Sequence, residues 1–458
     1  MRFPRSWFAD KHVVVLGLAK SGLAAAKLLR RLGAHVTVND QKPEERIPAE
    51  EKRLLAEWGV QCVWGGHPPG LITPDVDLVV KNPGIPYAIA PVQDACRLGI
   101  PVVTEVELGW QWTSSPVIGI TGSNGKTTTT TLIGEILRQA GQKVHVVGNI
   151  GQVMSEVAFD SRPDETLVVE LSSFQLMGTV EFRPKVAVLT NVYPAHLDYH
   201  QTMDAYVAAK CKLFANQQAT DAAVLNADQE LSHRIAPQLP SRVYWFSLRG
   251  PVAAGIYVEE DQIYWQPQEG PRERLFSRAD VAIKGEHNLA NLLAAAAAAL
   301  IYGIPSEAIR AVAQSFMGVE HRLEFVREVA GVAYYNDSKA TNTTAAMTAL
   351  RSFPEGVTWI AGGLDRGISF DDMIPTVRQH VRRVIAYGQT REQIVSMCRQ
   401  AGVEQCFTVE DVEEAVRLAH RLTPAGEVVL LSPACASWDL YRSFEERGHI
   451  FKQAVHKL

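Results

Sequence analysis

At 458 residues and 47% hydrophobic content, the chain is too long for one ordinary domain and carries enough apolar material for two or three cores. Its 45 Lys and Arg against 50 Asp and Glu leave a formal charge of -5, which excludes the basic footprint of a nucleic-acid or anionic-membrane binder and leaves anionic small molecules to local sites. Six scattered cysteines without a C-x-x-C pair fit a reducing cytoplasm and exclude a disulfide framework.

The start, Met1-Arg2-Phe3-Pro4-Arg5-Ser6-Trp7, lacks the apolar core of a secretion signal, so a cytoplasmic location is expected. His12-Val13-Val14-Val15-Leu16 reads as a strand, followed by the turn Gly17-Leu18-Ala19-Lys20-Ser21-Gly22, a helix to Leu32 and a strand through Val36 to Asp40. This is a Rossmann-type β-α-β pattern. Against the fingerprint G-x-G-x-x-G, Ala19 replaces the middle glycine and hinders backbone approach to a pyrophosphate. A looser nucleotide-diphosphate site, with Asp40 near the ribose, and a purely structural turn are equal readings. Leu78 to Gly84 makes a further strand and turn, and Trp110 to Pro116 reads as a linker.

Pro116-Val117-Ile118-Gly119-Ile120 then leads into Thr121-Gly122-Ser123-Asn124-Gly125-Lys126-Thr127-Thr128 and the periodic Leu132 to Leu137, a strand, phosphate loop and helix. Glycines let backbone N–H groups face an anion, the helix N-terminus adds positive potential, Lys126 reaches the outer phosphates and Thr127 can ligate Mg²⁺. A strict G-x-x-x-x-G-K-[ST] match requires glycine at position 120, where this chain has Ile120, so the motif is a shortened variant. A bare turn before an amphipathic helix does not account for Lys-Thr-Thr directly after the glycines. Glu170, ending the strand Leu167-Val168-Val169, is placed for a metal role, because a triphosphate needs Mg²⁺ and Mg²⁺ prefers hard oxygen ligands. From the residues alone, His196 is more often structural and Lys210 reads as a solvated helix lysine.

Gly255 to Trp265 alternates like a small hairpin, and Gly285-Glu286-His287-Asn288 opens a helix through the longest apolar run, Leu292 to Tyr302. That run is too short to cross a bilayer and reads as a buried helix capped by Gly303. After Arg322 the pattern resets, with strands expected at Gly331 to Tyr335, Val357 to Ile360, Arg383 to Ala386 and Val428 to Leu431, as in a doubly wound domain. Asn336-Asp337-Ser338-Lys339-Ala340-Thr341-Asn342 clusters donors, an acid and a base at a strand end, which points to a ligand. Ser432-Pro433-Ala434-Cys435-Ala436-Ser437-Trp438-Asp439 repeats the pattern, and Cys435 as nucleophile has no assigned base. Gly362-Gly363-Leu364-Asp365-Arg366-Gly367 adds an Arg able to clamp a carboxylate.

Together TGSNGKTT, GNIG at Gly148 to Gly151, ELSSFQL at Glu170 to Leu176, HLD at His196 to Asp198, GEHNLAN at Gly285 to Asn291, HRLE at His321 to Glu324, NDSKATN, SPACASWD and the closing FEERG at Phe444 to Gly448 resemble the Mur ligases, in order over nearly the whole chain. The resemblance implies a three-domain α/β fold: a Rossmann-like N-terminal domain at 1–113 for a UDP-substrate, a central P-loop ATPase-type domain at 114–318, and a C-terminal doubly wound, Rossmann-like domain at 319–458 for an amino acid. It implies ATP-dependent addition of D-glutamate to UDP-N-acetylmuramoyl-L-alanine through an acyl phosphate, in peptidoglycan precursor synthesis. A monomer without nucleic-acid partner or membrane insertion is expected.

The same resemblance assigns residues. Gly122, Ser123, Asn124, Gly125, Lys126, Thr127, Thr128, Asn288, Asn291, Arg322 and Asp337 hold the nucleotide; Thr127, Glu170, His196 and Lys210 serve Mg²⁺, with Lys210 carbamylated. Lys126, His196 and Lys210 are the catalytic set. Asn149, Ser172 and His196 face the muramoyl substrate, and Lys339, Thr341, Arg366, Ser437 and Phe444 line the D-glutamate site. The UDP half lies near Ser21, Gln41, Lys42, Asn82 and Gly84, which accounts for the broken fingerprint. Arg366 stands where some members have lysine, and Ala195 and Tyr199 stand where many have an acid and a base. Siblings adding L-lysine or diaminopimelate and folylpolyglutamate synthases lack SPACASWD and FEERG, an NAD oxidoreductase leaves the phosphate loop unexplained, and a non-catalytic nucleotide-binding module needs no metal ligands beside it.

Overall fold

Short runs of β-branched residues between glycine turns become the inner strands of three sheets, because both faces of each run are covered by helices. The computed structural model describes residues 5–458, apart from the side chains of Arg5, Ser6 and Asp198; Met1 to Pro4 of the start read for a secretion signal lie outside them. Strands β1 (His12–Leu16), β2 (His35–Asp40), β3 (Gln61–Trp64), β4 (Leu78–Lys81) and β5 (Val102–Val103) form a parallel sheet in the order β3-β2-β1-β4-β5. The order reverses between β1 and β4, so the turns after these two strands flank one crevice at the carboxyl edge.

The second sheet runs from β6 (Val117–Thr121), β7 (Lys143–Gly148), β8 (Glu165–Glu170), β9 (Val186–Leu189), β10 (Ala222–Asn226) and β11 (Arg242–Ser247) to β12 (Gly255–Glu259), β13 (Gln262–Gln266) and β14 (Glu273–Ser277), in the order β14-β13-β12-β11-β10-β9-β6-β8-β7. The expected hairpin is present as antiparallel β12 and β13, and β14 extends it. The third sheet holds β15 (Glu324–Val329), β16 (Val332–Asn336), β17 (Val357–Gly362), β18 (Val381–Tyr387), β19 (Gln405–Thr408) and β20 (Val428–Leu431), ordered β15-β16-β20-β17-β18-β19, parallel except for edge strand β15.

The chain divides into two compact units, one holding the described residues up to 281 with 287–314, the other 282–286 with 315–458. The first two sheets share a unit for a visible reason. Trp110 to Pro116 is not all linker: a helix spans Glu105–Trp112 and its Trp112 is buried. The Glu107 carboxylate in this helix accepts from the N–H groups of Val180, Glu181 and Phe182 at 2.9, 3.0 and 3.2 Å, clamping the connection onto the central sheet. The alanine run lies in the helix Glu286–Ile301, with Ala294 to Ala299 fully buried and Gly303 at φ +89° just beyond it. Among the described residues no helix is long and apolar enough to cross a membrane.

Candidate active site

Central strand β6 delivers the glycine loop at the carboxyl edge of its sheet, between β8 and β9. Ile120 is buried inside β6 and pairs with Glu170 and Val188, so it is a strand residue and the anion loop begins two positions later. A Cβ at Gly122 would overlap Thr190 Oγ1, and one at Gly125 would overlap the Asn291 amide, so only glycine admits these close approaches. The loop is braced from β9 outward. Ser123 N–H donates to Asn191 O at 2.8 Å, Asn124 N–H to Asn191 Oδ1 at 2.9 Å, and Thr190 Oγ1 to Asn124 O at 2.6 Å. Those two loop N–H groups are therefore committed internally, and the helix Lys126–Gln139, whose first turn includes Thr127 and Thr128, starts directly after the loop with the positive end of its dipole toward it.

Two ammonium groups meet on this loop. Lys126 Nζ donates to Gly122 O and Ser123 O at 2.9 and 2.8 Å, and Lys210 Nζ reaches the same Gly122 O at 2.8 Å. Lys210 is 2% exposed, lies 4.5 Å from the centroid of the Tyr206 ring, and is pulled down to about 7, mainly by burial and next by Lys126. It is thus no solvated helix lysine. Nearby, Glu170 is buried at the end of β8; its Oε1 accepts from Asn149 Nδ2 at 2.8 Å while Oε2 is buried without a hydrogen-bond partner. An orphaned buried carboxylate oxygen is costly, and a divalent cation would satisfy it, so this donor set fits Mg²⁺.

His196 sits at φ 55° before the short helix Leu197–His200, exposed, with its ring 5.0 Å from Phe174 and 6.4 Å from Tyr206. The satisfied structural histidine of this segment is His200, which is buried and bonded to Ser173 Oγ at 2.9 Å. Ser172 forms a capping box with Gln175 at the start of the helix Ser173–Met177. Asn288 and Asn291 are buried on one face of the helix Glu286–Ile301. In the first sheet, Asn82 Nδ2 donates to Ser21 Oγ at 3.1 Å, and Gly84 is exposed in the same turn. Asp40 closes the neighbouring turn by accepting from Leu18 N–H at 2.6 Å and Lys42 N–H at 2.9 Å.

The second unit gathers its polar residues after β16, β17 and β20. Asp337 Oδ1 accepts from Leu323 N–H at 3.1 Å and Oδ2 from Ser432 Oγ at 2.8 Å; burial raises its carboxyl to about 7. Lys339 Nζ stands 5.1 Å from the Phe444 ring centroid, Arg366 stands 5.1 Å from that of Trp438, Thr341 is half-buried and Ser437 is buried. Cys435 is buried beside Thr390 Oγ1 at 3.3 Å, and burial pushes its thiol up, away from the thiolate form a nucleophile needs. The structure thus brings the phosphate-loop, Glu170 and Lys210 set together in one unit and Arg322, Asp337, Lys339, Thr341, Arg366, Ser437 and Phe444 in the other.

Comparison with known proteins matches three successive segments to family models: Mur ligase MurD-like, N-terminal domain at 11–104, Mur ligase middle domain at 120–299, and Mur ligase, glutamate ligase domain at 321–435. The chain belongs to the Mur ligase family. Similar relatives include the UDP-N-acetylmuramoylalanine--D-glutamate ligases of Geobacillus kaustophilus, 51% identical with 99% of each chain covered, and of Bacillus subtilis, 47% identical with 98% of each covered. Solved Mur ligases share the fold: Thermotoga maritima MurC at TM-score 0.59 and 16% identity, covering 98% of this chain and 99% of that one, and Thermotoga maritima MurF in complex with ADP at 0.57 and 17%, covering 99% and 97%.

Sequence reasoning missed several residues of this Mur ligase site. Tyr206 carries the loop hydroxyl of Ser123 at 3.0 Å, and Thr190 and Asn191 brace the loop, yet neither pattern nor charge marks them out. Arg447, quoted only as part of FEERG, is fully buried and donates to Ser338 O at 2.7 Å, Ser338 Oγ at 3.0 Å and Cys435 O at 3.2 Å, tying the turns after β16 and β20 to the last helix. Among the described residues, Glu320, His321 and His449 also approach one another, but Lys452 Nζ already sits on Glu320 at 2.8 Å.

Proposed function

We propose that this Mur ligase joins D-glutamate to UDP-N-acetylmuramoyl-L-alanine at the expense of ATP, in the cytoplasm and as a monomer, for peptidoglycan precursor synthesis. The observation that carries the reading is the meeting of Lys126 and Lys210 on one carbonyl of a helix-borne phosphate loop, with the orphaned Glu170 carboxylate ending the neighbouring strand. A carboxylate is a poor electrophile at neutral pH. Transfer of the γ-phosphoryl group to the L-alanine carboxylate installs a good leaving group, and attack by the D-glutamate amine then forms the amide and releases phosphate. Thr127, Glu170, His196 and Lys210 would hold Mg²⁺, which when bound neutralises phosphate charge. Lys126 and the first-turn N–H groups orient the phosphates, and Asn288, Asn291, Arg322 and Asp337 hold the rest of the nucleotide.

Burial of Lys210 supports its carbamylation. An ammonium pulled down to about 7 leaves a population of neutral amine near neutral pH; that amine adds to CO₂, loses a proton and becomes an N-carboxylate able to ligate metal. Asn149, Ser172 and His196 face the muramoyl group, Ser21, Asn82 and Gly84 the UDP end, and Lys339, Thr341, Arg366, Ser437 and Phe444 the incoming amino acid. Work divides among segments 1–113, 114–318 and 319–458 for UDP-substrate, ATP and amino acid. The test supplies ATP, Mg²⁺, UDP-N-acetylmuramoyl-L-alanine and one amino acid at a time while phosphate release is followed. D-glutamate should be preferred; release no greater than with L-lysine or a blank sinks the assignment.

A further inference from the structure

A second buried lysine lies in the first sheet. Lys81 ends β4, is 1% exposed, and donates to the carbonyls of Ile85 at 2.8 Å, Pro83 at 3.1 Å and Asn82 at 3.3 Å, with the Tyr87 ring centroid 4.6 Å away. An ammonium has three N–H bonds, so this one is saturated by the turn that follows it. Among the described residues no carboxylate accepts from it, and burying a cation without a counter-charge is expensive. Pro83 removes one N–H of the turn and Ile85 N–H already closes on Asn82 O at 3.0 Å, so the Pro83 and Ile85 carbonyls are met from outside the turn.

Peptide planarity gives the arrangement a direction. The carbonyl of the Pro83–Gly84 peptide faces the ammonium, so the Gly84 N–H of the same plane faces away from it, where it meets Asn82 Oδ1 at 3.2 Å. A cation on the carbonyl polarises the peptide and strengthens that N–H as a donor, which stiffens the turn. The turn lies at the crevice where the first sheet reverses its strand order. It rests on the turn after β1: a Cβ at Gly17 would stand 2.9 Å from Ile85 Cδ1 and 3.0 Å from Asn82 Cβ. A second hand holds it from the central sheet. Tyr199 Oη donates to the Ile85 carbonyl at 3.0 Å, the carbonyl that Lys81 also holds, and the Tyr199 ring stands edge-on to Phe174 at 4.7 Å. Tyr199 follows His196 by three residues, so one carbonyl links the first-sheet crevice to the segment carrying the candidate catalytic histidine.

We propose that Lys81 and Tyr199 are positioning residues for the nucleoside-diphosphate end of the substrate: their shared grip on Ile85 O sets the 82–85 turn, and with it the place of Asn82 and Gly84, against the diphosphate at the sheet crevice. The inference rests on the reading that Ser21, Asn82 and Gly84 face the UDP-sugar. It deepens that reading by naming what shapes the site.

The experiment uses the full chain, with steady-state kinetics for each substrate and calorimetric titration with UDP. Lys81→Met keeps the stem and removes the cation; Tyr199→Phe keeps the ring and removes the hydroxyl. Expected are a KM for the UDP-sugar raised about tenfold in Lys81→Met and about threefold in Tyr199→Phe, a parallel loss of UDP affinity, and KM for ATP and D-glutamate unchanged within about twofold. Uridine, lacking the diphosphate, should compete equally well against the wild type and both variants. A fall in kcat alone, an equal rise in all three KM values, or an equal loss of UDP and uridine overturns the proposal. Should Lys81→Met fail to fold, Tyr199→Phe still decides, since it leaves the cation in place. A wild-type chain that binds no UDP overturns the underlying reading instead, before any variant is compared.

Discussion

Lys81 and Lys210 are built alike and differ in their neighbours. Each is a buried ammonium on backbone carbonyls with a tyrosine ring beneath it, Tyr87 at 4.6 Å and Tyr206 at 4.5 Å. Lys81 donates to three carbonyls of one turn, and burial lowers it to about 8, so the ammonium form predominates near neutral pH. Lys210 donates to one carbonyl, shared with Lys126, and the second ammonium helps burial bring it to about 7. Burial sets the direction of both shifts, and a second ammonium beside Lys210 lowers it further.

The comparison is tested most severely by removing each amine. Lys210→Ala should abolish turnover, a loss of about a thousandfold or more, with partial rescue by short carboxylic acids that restore a metal-binding oxygen. Full activity in the untreated variant refutes the carboxylate role, and Lys81→Met should gain nothing from the same acids. Lys126→Met should cut kcat/KM for ATP about a hundredfold, since a phosphate-neutralising charge is lost; an unchanged value would remove Lys126 from phosphate binding.

Stability against pH separates a buried cation from a buried acid. Lys81 is lowered from 10.5 to about 8, so the unfolded chain binds more protons in that window and stability should rise with pH across it. Glu105, fully buried against Ser155 N–H, is raised from 4.5 to about 7; the folded chain binds more protons there, and stability should fall as pH rises through that window. Each contributes up to about 3 kcal/mol, and Lys81→Met or Glu105→Gln should flatten its own window in urea melts taken across pH. A slope that survives the substitution belongs to another group. The smallest effect is expected at Cys435, where Cys435→Ser should keep kcat within about twofold because a buried, protonated thiol does no chemistry; a large loss would reopen its role.

Much of this molecule was legible in one dimension. The phosphate loop, the strand ends carrying Glu170 and Asp337, the alanine helix and the inner strands are local patterns, encoded by glycine placement, β-branching and helical period, and these do not wait for tertiary contacts. The reading of Trp110 to Pro116 as linker missed the helix end at Trp112 because the composition suits a loop, whereas Glu107 bonds to the backbone of Val180, 73 residues on, and Trp112 packs against Phe8 and Phe159. The bracing of the loop by Thr190, Asn191 and Tyr206, the knot around Arg447, and the link from Lys81 through Ile85 to Tyr199 were invisible for the same reason. The sequence by itself determined the elements, the family resemblance and the residue types that meet phosphate and metal. Tertiary structure alone decided which lysines lose water and which carbonyls they hold, because desolvation depends on what packs around a side chain in three dimensions.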